Sequence, residues 1–101
     1  MSRARVQADG DSRLRVEGEL SFVTVPALQQ QAAGLFESAR ELDVDLSGVE
    51  RADSAGLALL IEWMREARRR DKALRLLNMP AQMLAIARVS SLDEILPLAR
   101  D

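Results

Sequence analysis

The chain has 101 residues, 48% of them hydrophobic and 30% charged, with a formal net charge of −2, which predicts one folded domain over 1–101 rather than a disordered chain. It contains no cysteine and no histidine, so disulfides, thiolate zinc sites, cysteine nucleophiles and the commonest general base are absent. Two Phe, one Trp and no Tyr on a weakly acidic chain do not make a nucleic-acid surface, which needs clustered cations and stacking aromatics.

Ala4, Val6 and Ala8 alternate with Arg5 and Gln7, and Leu14 and Val16 alternate with Arg13, Arg15 and Glu17. With Asp9-Gly10-Asp11 as the turn between them, this predicts a β-hairpin. Thr24-Val25-Pro26 then opens a helix whose inward stripe is Leu28, Ala32, Leu35 and Phe36, weakened at Gly34 by about 1 kcal/mol relative to Ala. Leu42, Val44 and Leu46 alternate with Asp43 and Asp45, a strand expected to end at Ser47-Gly48. From Ala55 to Arg70 the 3.6-residue period is strong, with Leu57, Leu60, Ile61, Met64 and Ala67 facing inward. Asp71-Lys72 breaks it, and Leu74, Leu76 and Leu77 form a further strand. Asn78-Met79-Pro80 leads into a helix carrying Met83, Ile86 and Ala87, and Ser91-Leu92-Asp93-Glu94 has capping-box spacing before Pro97.

A hairpin followed by helix, strand, helix, strand and helix predicts an α/β domain with parallel pairing of the later strands. Because Asp43 and Asp45 interrupt what a doubly covered sheet would keep apolar, the helices are expected on one sheet face, giving two layers. No segment approaches the roughly 20 apolar residues of a membrane span, and the N-terminus lacks the apolar run of a signal peptide. The expected location is cytoplasmic.

The corner before the main helix reads DLSGVERADSAGL, Asp45 to Leu57. Asp53 or Ser54 can accept a hydrogen bond from a first-turn amide, a cap worth about 1 kcal/mol. Alternatively, Gly56 leaves the backbone bare where the free N–H groups and the helix dipole favour a docking ligand or partner. This run, preceded by Val16-Glu17-Gly18-Glu19-Leu20, resembles the STAS domain family, shared by sulfate transporters and anti-sigma factor antagonists, over nearly the whole chain. The resemblance implies a STAS-like fold and a partner-binding surface at Asp53, Ser54, Ala55 and Gly56. In the antagonists a hydroxyl residue immediately before the glycine is phosphorylated; Ala55 stands there, leaving Ser54, one place earlier, as the candidate for phosphorylation.

Within the family, Asp45-Leu46-Ser47, the run Asp53 to Leu60 and the terminal Leu96-Pro97 are similar to the small cytoplasmic STAS subunits of phospholipid-trafficking ABC transporters. That similarity implies a non-enzymatic subunit, without cofactor or metal, that binds the transporter's ATPase and supports its assembly and activity, alongside a membrane permease. The alternative it implies is an anti-sigma factor antagonist acting by partner switching.

Taking Leu57 as the centre of the inward stripe places Leu59 and Trp63 on the opposite side of the helix, one turn apart. An exposed Leu–Trp pair beside Ser54 would mark an interface, unless a loop or the terminal helix covers it. The interface reading predicts that Ser54→Arg or Trp63→Glu weakens ATPase binding with the fold intact. Arg65, Arg68, Arg69, Arg70 and Lys72 complement the negative end of the helix dipole and are assigned no site role. Without a Gly-rich phosphate loop, or carboxylates in an identifiable pair, nothing points to an enzyme.

Overall fold

In the computed structural model, which describes residues 4–10 and 12–98, β1 (Ala4–Ala8) and β2 (Arg13–Leu20) pair antiparallel, Val6 opposite Val16. Gly10 sits at φ +84° in the turn, where glycine is free of the Cβ clash. Asp11, read as part of that turn, lies outside the described residues. The chain continues through α1 (Val25–Ser38), β3 (Glu41–Ala52), α2 (Ser54–Arg69), β4 (Ala73–Leu77) and α3 (Ala81–Val89). The sheet order is β1-β2-β3-β4, with β2–β3 and β3–β4 both parallel across the helical crossovers, as the sequence pattern predicts.

Leu14, Val16, Val44, Leu46 and Leu76 turn one sheet face to the core, together with Leu28, Ala32, Phe36, Met83 and Ala87 from the helices. The other face is polar. There Arg5 and Arg15 share Glu17, and Arg75 makes two 3.0 Å hydrogen bonds to Asp43. Exposed pairs of this kind contribute at most about 1 kcal/mol each, so their main effect is to keep that face wet. The two-layer expectation therefore holds.

β3 does not end at Ser47-Gly48. It runs 12 residues to Ala52, with register shifts against β2 between Arg15 and Glu17 and between Gly18 and Glu19. Each shift is a bulge that changes the spacing of inward residues, so Leu46, Val49 and Ala52 are buried three apart rather than two. That lost alternation made the strand look finished. Gly48 is needed at the first bulge because a Cβ there would lie 2.8 Å from Glu17 Cγ and 3.0 Å from Val16 O.

Asp45 is buried and braces the same bulge. Its Oδ1 accepts from Ser47 N at 2.9 Å and from Asn78 Nδ2 at 3.1 Å. Asn78 has φ +57°, a left-handed conformation that Asn tolerates better than most residues. Burial alone would raise the Asp45 pKa, but the Ser47 amide, Asn78, the Ser47 hydroxyl and the Arg13 charge together hold it below its ordinary value of 3.8. A carboxyl with a lowered folded-state pKa stabilises the fold above its unfolded value, and that contribution disappears as pH falls through the folded value. Asp45→Asn should therefore be less stable near neutrality and lose less stability than wild type below about pH 4, which urea titrations across that range will measure.

α2 ends as expected, with Asp71 at φ +58° and Lys72 N donating to Ala67 O at 2.8 Å. Arg65 pairs with Glu62 and Arg69 and Arg70 with Glu66 along the helix, while Lys72, beyond its end, donates to the Phe36 carbonyl near the end of α1. The capping box at Ser91 does not form. Ser91 is left-handed at φ +57° with no side-chain cap, and Leu92–Glu94 is a single 3-10 turn. A helix N-cap has an extended backbone, which the left-handed Ser91 lacks, so its hydroxyl does not cap the Glu94 amide.

Both outer strands are covered at a backbone amide. On β1, Gln31 Oε1 accepts from Val6 N at 2.8 Å. On β4, Pro97 O accepts from Leu76 N at 2.8 Å, and Leu98 forms a parallel bridge to Leu76.

Candidate functional site

The corner between β3 and α2 settles which residue caps the helix. Asp53 does: its Oδ1 accepts from Ala55 N at 2.8 Å and from Gly56 N at 3.3 Å, while its backbone is extended. Its second oxygen accepts from Phe22 N at 3.3 Å, tying the β2–α1 turn to the start of α2. Ser54, the first helical residue, is exposed, and its hydroxyl makes no hydrogen bond among the described residues. Ala55 is half-buried.

Gly56 is buried against the end of β2. A Cβ there would lie 2.7 Å from Leu20 O and 2.9 Å from Leu20 Cβ. The glycine thus lets the helix start press onto the strand, where Asp53 N donates to Leu20 O at 3.0 Å. Close backbone approach explains this residue without invoking a bound anion.

Leu59 and Trp63 are not on the outside. They are only 1% and 4% exposed, and the Trp63 ring lies 6.1 Å from that of Phe36 on α1, tilted at 47°. On a helical wheel the buried arc of α2 runs from Leu59 through Trp63, Gly56, Ala67, Leu60 and Met64 to Leu57, about 160° wide. Leu57 is at one edge of that arc, not at its centre, and Ile61 is half-buried. The physical reason is that α2 packs against α1 and α3 as well as against β3 and β4. A helix with neighbours on its flanks buries more than a single sheet-facing stripe.

A groove of about 280 Å³ between α1 and α2 has Phe36 and Trp63 among its walls, but Glu37, Glu62, Glu66, Arg69 and Arg70 also line it. The exposed side of α2 is Ser54, Ala58, Arg65, Arg68 and Arg69.

Exposed apolar surface at the corner comes instead from Phe22 and Val23, 82% and 66% exposed. Their turn is rigidly built. The buried Thr24 hydroxyl donates to Glu19 O at 2.6 Å and accepts from Ser21 N at 2.9 Å, while Val25 N donates to Ser21 O at 2.9 Å. The sequence contained a signal for this pair: Phe22 and Val23 follow Leu20 but belong neither to the strand alternation nor to the stripe of α1. At this corner the structure leaves Ser54 exposed and Ala55 half-buried, buries Leu59 and Trp63 instead of exposing them, and exposes Phe22 and Val23.

A four-stranded mixed sheet with this helical layer and this strand-to-helix corner is a STAS-type fold, and the chain belongs to that family. It matches the family described as "Mlab, STAS domain" over residues 4–97. It is 38% identical over 82 residues to the intermembrane phospholipid transport system binding protein MlaB of Haemophilus influenzae, covering 76% of this chain and 77% of that protein. It is also 22% identical over 93 residues to the anti-sigma-B factor antagonist of Bacillus subtilis, covering 92% and 85% respectively. Among solved structures, an anti-sigma factor antagonist from Mycobacterium paratuberculosis superposes with a TM-score of 0.74 at 24% identity, covering 97% of this chain and 85% of that one. Among the described residues, no helix is long and apolar enough to cross a membrane.

Proposed function

We propose that this chain is the non-enzymatic STAS subunit of an ABC transporter for intermembrane phospholipid trafficking, held at the cytoplasmic side of the inner membrane by binding the transporter's ATPase (MlaF-like). The observation that carries the reading is its 38% identity, over most of both chains, to a protein named as the binding component of an intermembrane phospholipid transport system. The docking surface is the corner formed by Ser54 and Ala55 with Phe22 and Val23, which Asp53 and Gly56 hold in place. An exposed aromatic and a β-branched residue on a rigid turn provide anchor area at little entropic cost, and the neighbouring free hydroxyl of Ser54 adds a polar contact.

Phe22→Asp and Ser54→Arg should each weaken binding to the transporter ATPase at least tenfold, about 1.4 kcal/mol. Since both side chains are exposed, the melting temperature should barely move. Calorimetric titration with the purified ATPase measures the first and thermal unfolding the second. Wild-type affinity in both variants would reject the surface.

The relation to anti-sigma factor antagonists supports a second reading, partner switching controlled by phosphate. Ala55 occupies the position of the usual acceptor, so a switch would have to use Ser54. Affinity capture with the tagged chain, followed by mass measurement after incubation with a captured kinase and ATP, separates the two. An ABC ATPase and an unmodified Ser54 favour transport. A histidine-kinase-like anti-sigma factor and a phosphorylated Ser54 favour switching.

A further inference from the structure

β4 pairs with β3 only from Glu41 to Asp45 and ends at Leu77, whereas β3 runs on to Ala52. At Ala52 a side chain takes the place of the missing strand. Gln82, in the first turn of α3, donates from Nε2 to Ala52 O at 2.9 Å and accepts at Oε1 from Ala52 N at 3.1 Å. One primary amide thereby satisfies both backbone groups of one residue, as an adjoining strand would.

The position matters because Ala52 O and Asp53 N belong to the same peptide unit. Its carbonyl is held by Gln82 and its N–H by Leu20 O at 3.0 Å, so the plane is clamped from α3 on one side and β2 on the other. That plane sets the direction in which the chain enters Asp53. From there the Asp53 carboxylate fixes the first-turn amides and Phe22 N, and so the relative placement of Ser54 and Phe22.

We propose that Gln82 is a positioning residue for the docking corner, coupling α3 to the orientation of Ser54 and Phe22 without itself touching the partner. This rests on the docking surface proposed above. Gln82 is not among the buried residues of α3, and Gln and Met have similar helix propensities. Gln82→Met therefore removes both hydrogen bonds while leaving α3 and the core in place. Gln82→Glu keeps an acceptor for Ala52 N but turns a negative oxygen toward Ala52 O.

The test combines amide hydrogen exchange with calorimetric titration against the purified transporter ATPase, using full-length wild type, Gln82→Met, Gln82→Glu and Ser54→Arg. Gln82→Met should lose protection at Ala52 and Asp53, and Gln82→Glu, which keeps the acceptor for Ala52 N, at Asp53; both should keep it at Val44 in the centre of β3 and bind roughly tenfold more weakly, about 1.4 kcal/mol. Wild-type affinity in the Gln82 variants, with Ser54→Arg impaired, would overturn the positioning role and leave the docking surface standing. A loss of affinity accompanied by lost protection at Val44 would assign Gln82 to general stability instead and also overturn it. Normal binding by Ser54→Arg and Phe22→Asp would remove the docking surface and this inference together.

Discussion

Trp63→Ala should lower the free energy of unfolding by about 3–5 kcal/mol, the range for deleting a large buried aromatic, and Trp63→Glu should yield no stably folded protein. The indole is 4% exposed and packed with Phe36 between α2 and α1, so alanine leaves a cavity and glutamate buries a carboxylate beside Glu62 and Glu66, where the nearby Arg69 and Arg70 are already paired with Glu66. Urea unfolding followed by far-UV circular dichroism measures the alanine variant, since the only tryptophan has been removed. A Trp63→Glu protein with wild-type stability and only partner binding lost would place the indole at a surface, contrary to the packing described.

Gly56→Ala should cost roughly 1–3 kcal/mol, the range for overpacking a well-filled site, and Gly56→Val more. The added Cβ meets the carbonyl oxygen and Cβ of Leu20 at 2.7 and 2.9 Å, and the first of these belongs to the backbone of a paired strand that cannot rotate aside. The helix start must therefore lift, which strains the Asp53–Leu20 hydrogen bond and displaces Ser54 from Phe22. Partner affinity should fall along with stability. Gly34→Ala is the control: nothing lies within 4 Å of its Cβ, so relief of the helix penalty should stabilise α1 by up to about 1 kcal/mol. Chemical denaturation of the two variants side by side distinguishes steric clash from glycine's general flexibility. Equal stabilisation of both would remove the close approach at Gly56.

The legible parts of the sequence were those governed by local periodicity. Alternation at Val6, Leu14 and Val16, and the helical spacing of Leu28, Ala32 and Phe36, each follow from one element meeting one core. What failed depended on neighbours distant in sequence. The bulges of β3 exist because β2 pairs with it in shifted register, and nothing within DLSGVERA itself announces that Leu46, Val49 and Ala52 will face the same way. Likewise, the centre of the buried arc on α2 is set by α1 and α3 on its flanks, which is why Leu57 misled as a reference and Trp63 was placed outside.

The candidate corner was half legible. Asp53 takes the cap that composition left open between it and Ser54, and Ser54 stays exposed beside it. Phe22 stands out in the sequence only as an apolar residue outside both patterns; its place beside Ser54 depends on an Asp53 carboxylate 31 residues away. Gln82 escapes notice for the same reason: a lone Gln on the outer side of the first turn of α3 looks like ordinary solvated surface until its amide is seen against Ala52.

The covered sheet margins constrain how such a chain can join a larger assembly. With the Gln31 amide on Val6 at one margin and the Pro97–Leu98 segment on Leu76 at the other, a newcomer cannot zip onto either side without first evicting a resident group. The margins are thus guarded against open-ended ribbon growth, in which copy after copy would add along the sheet.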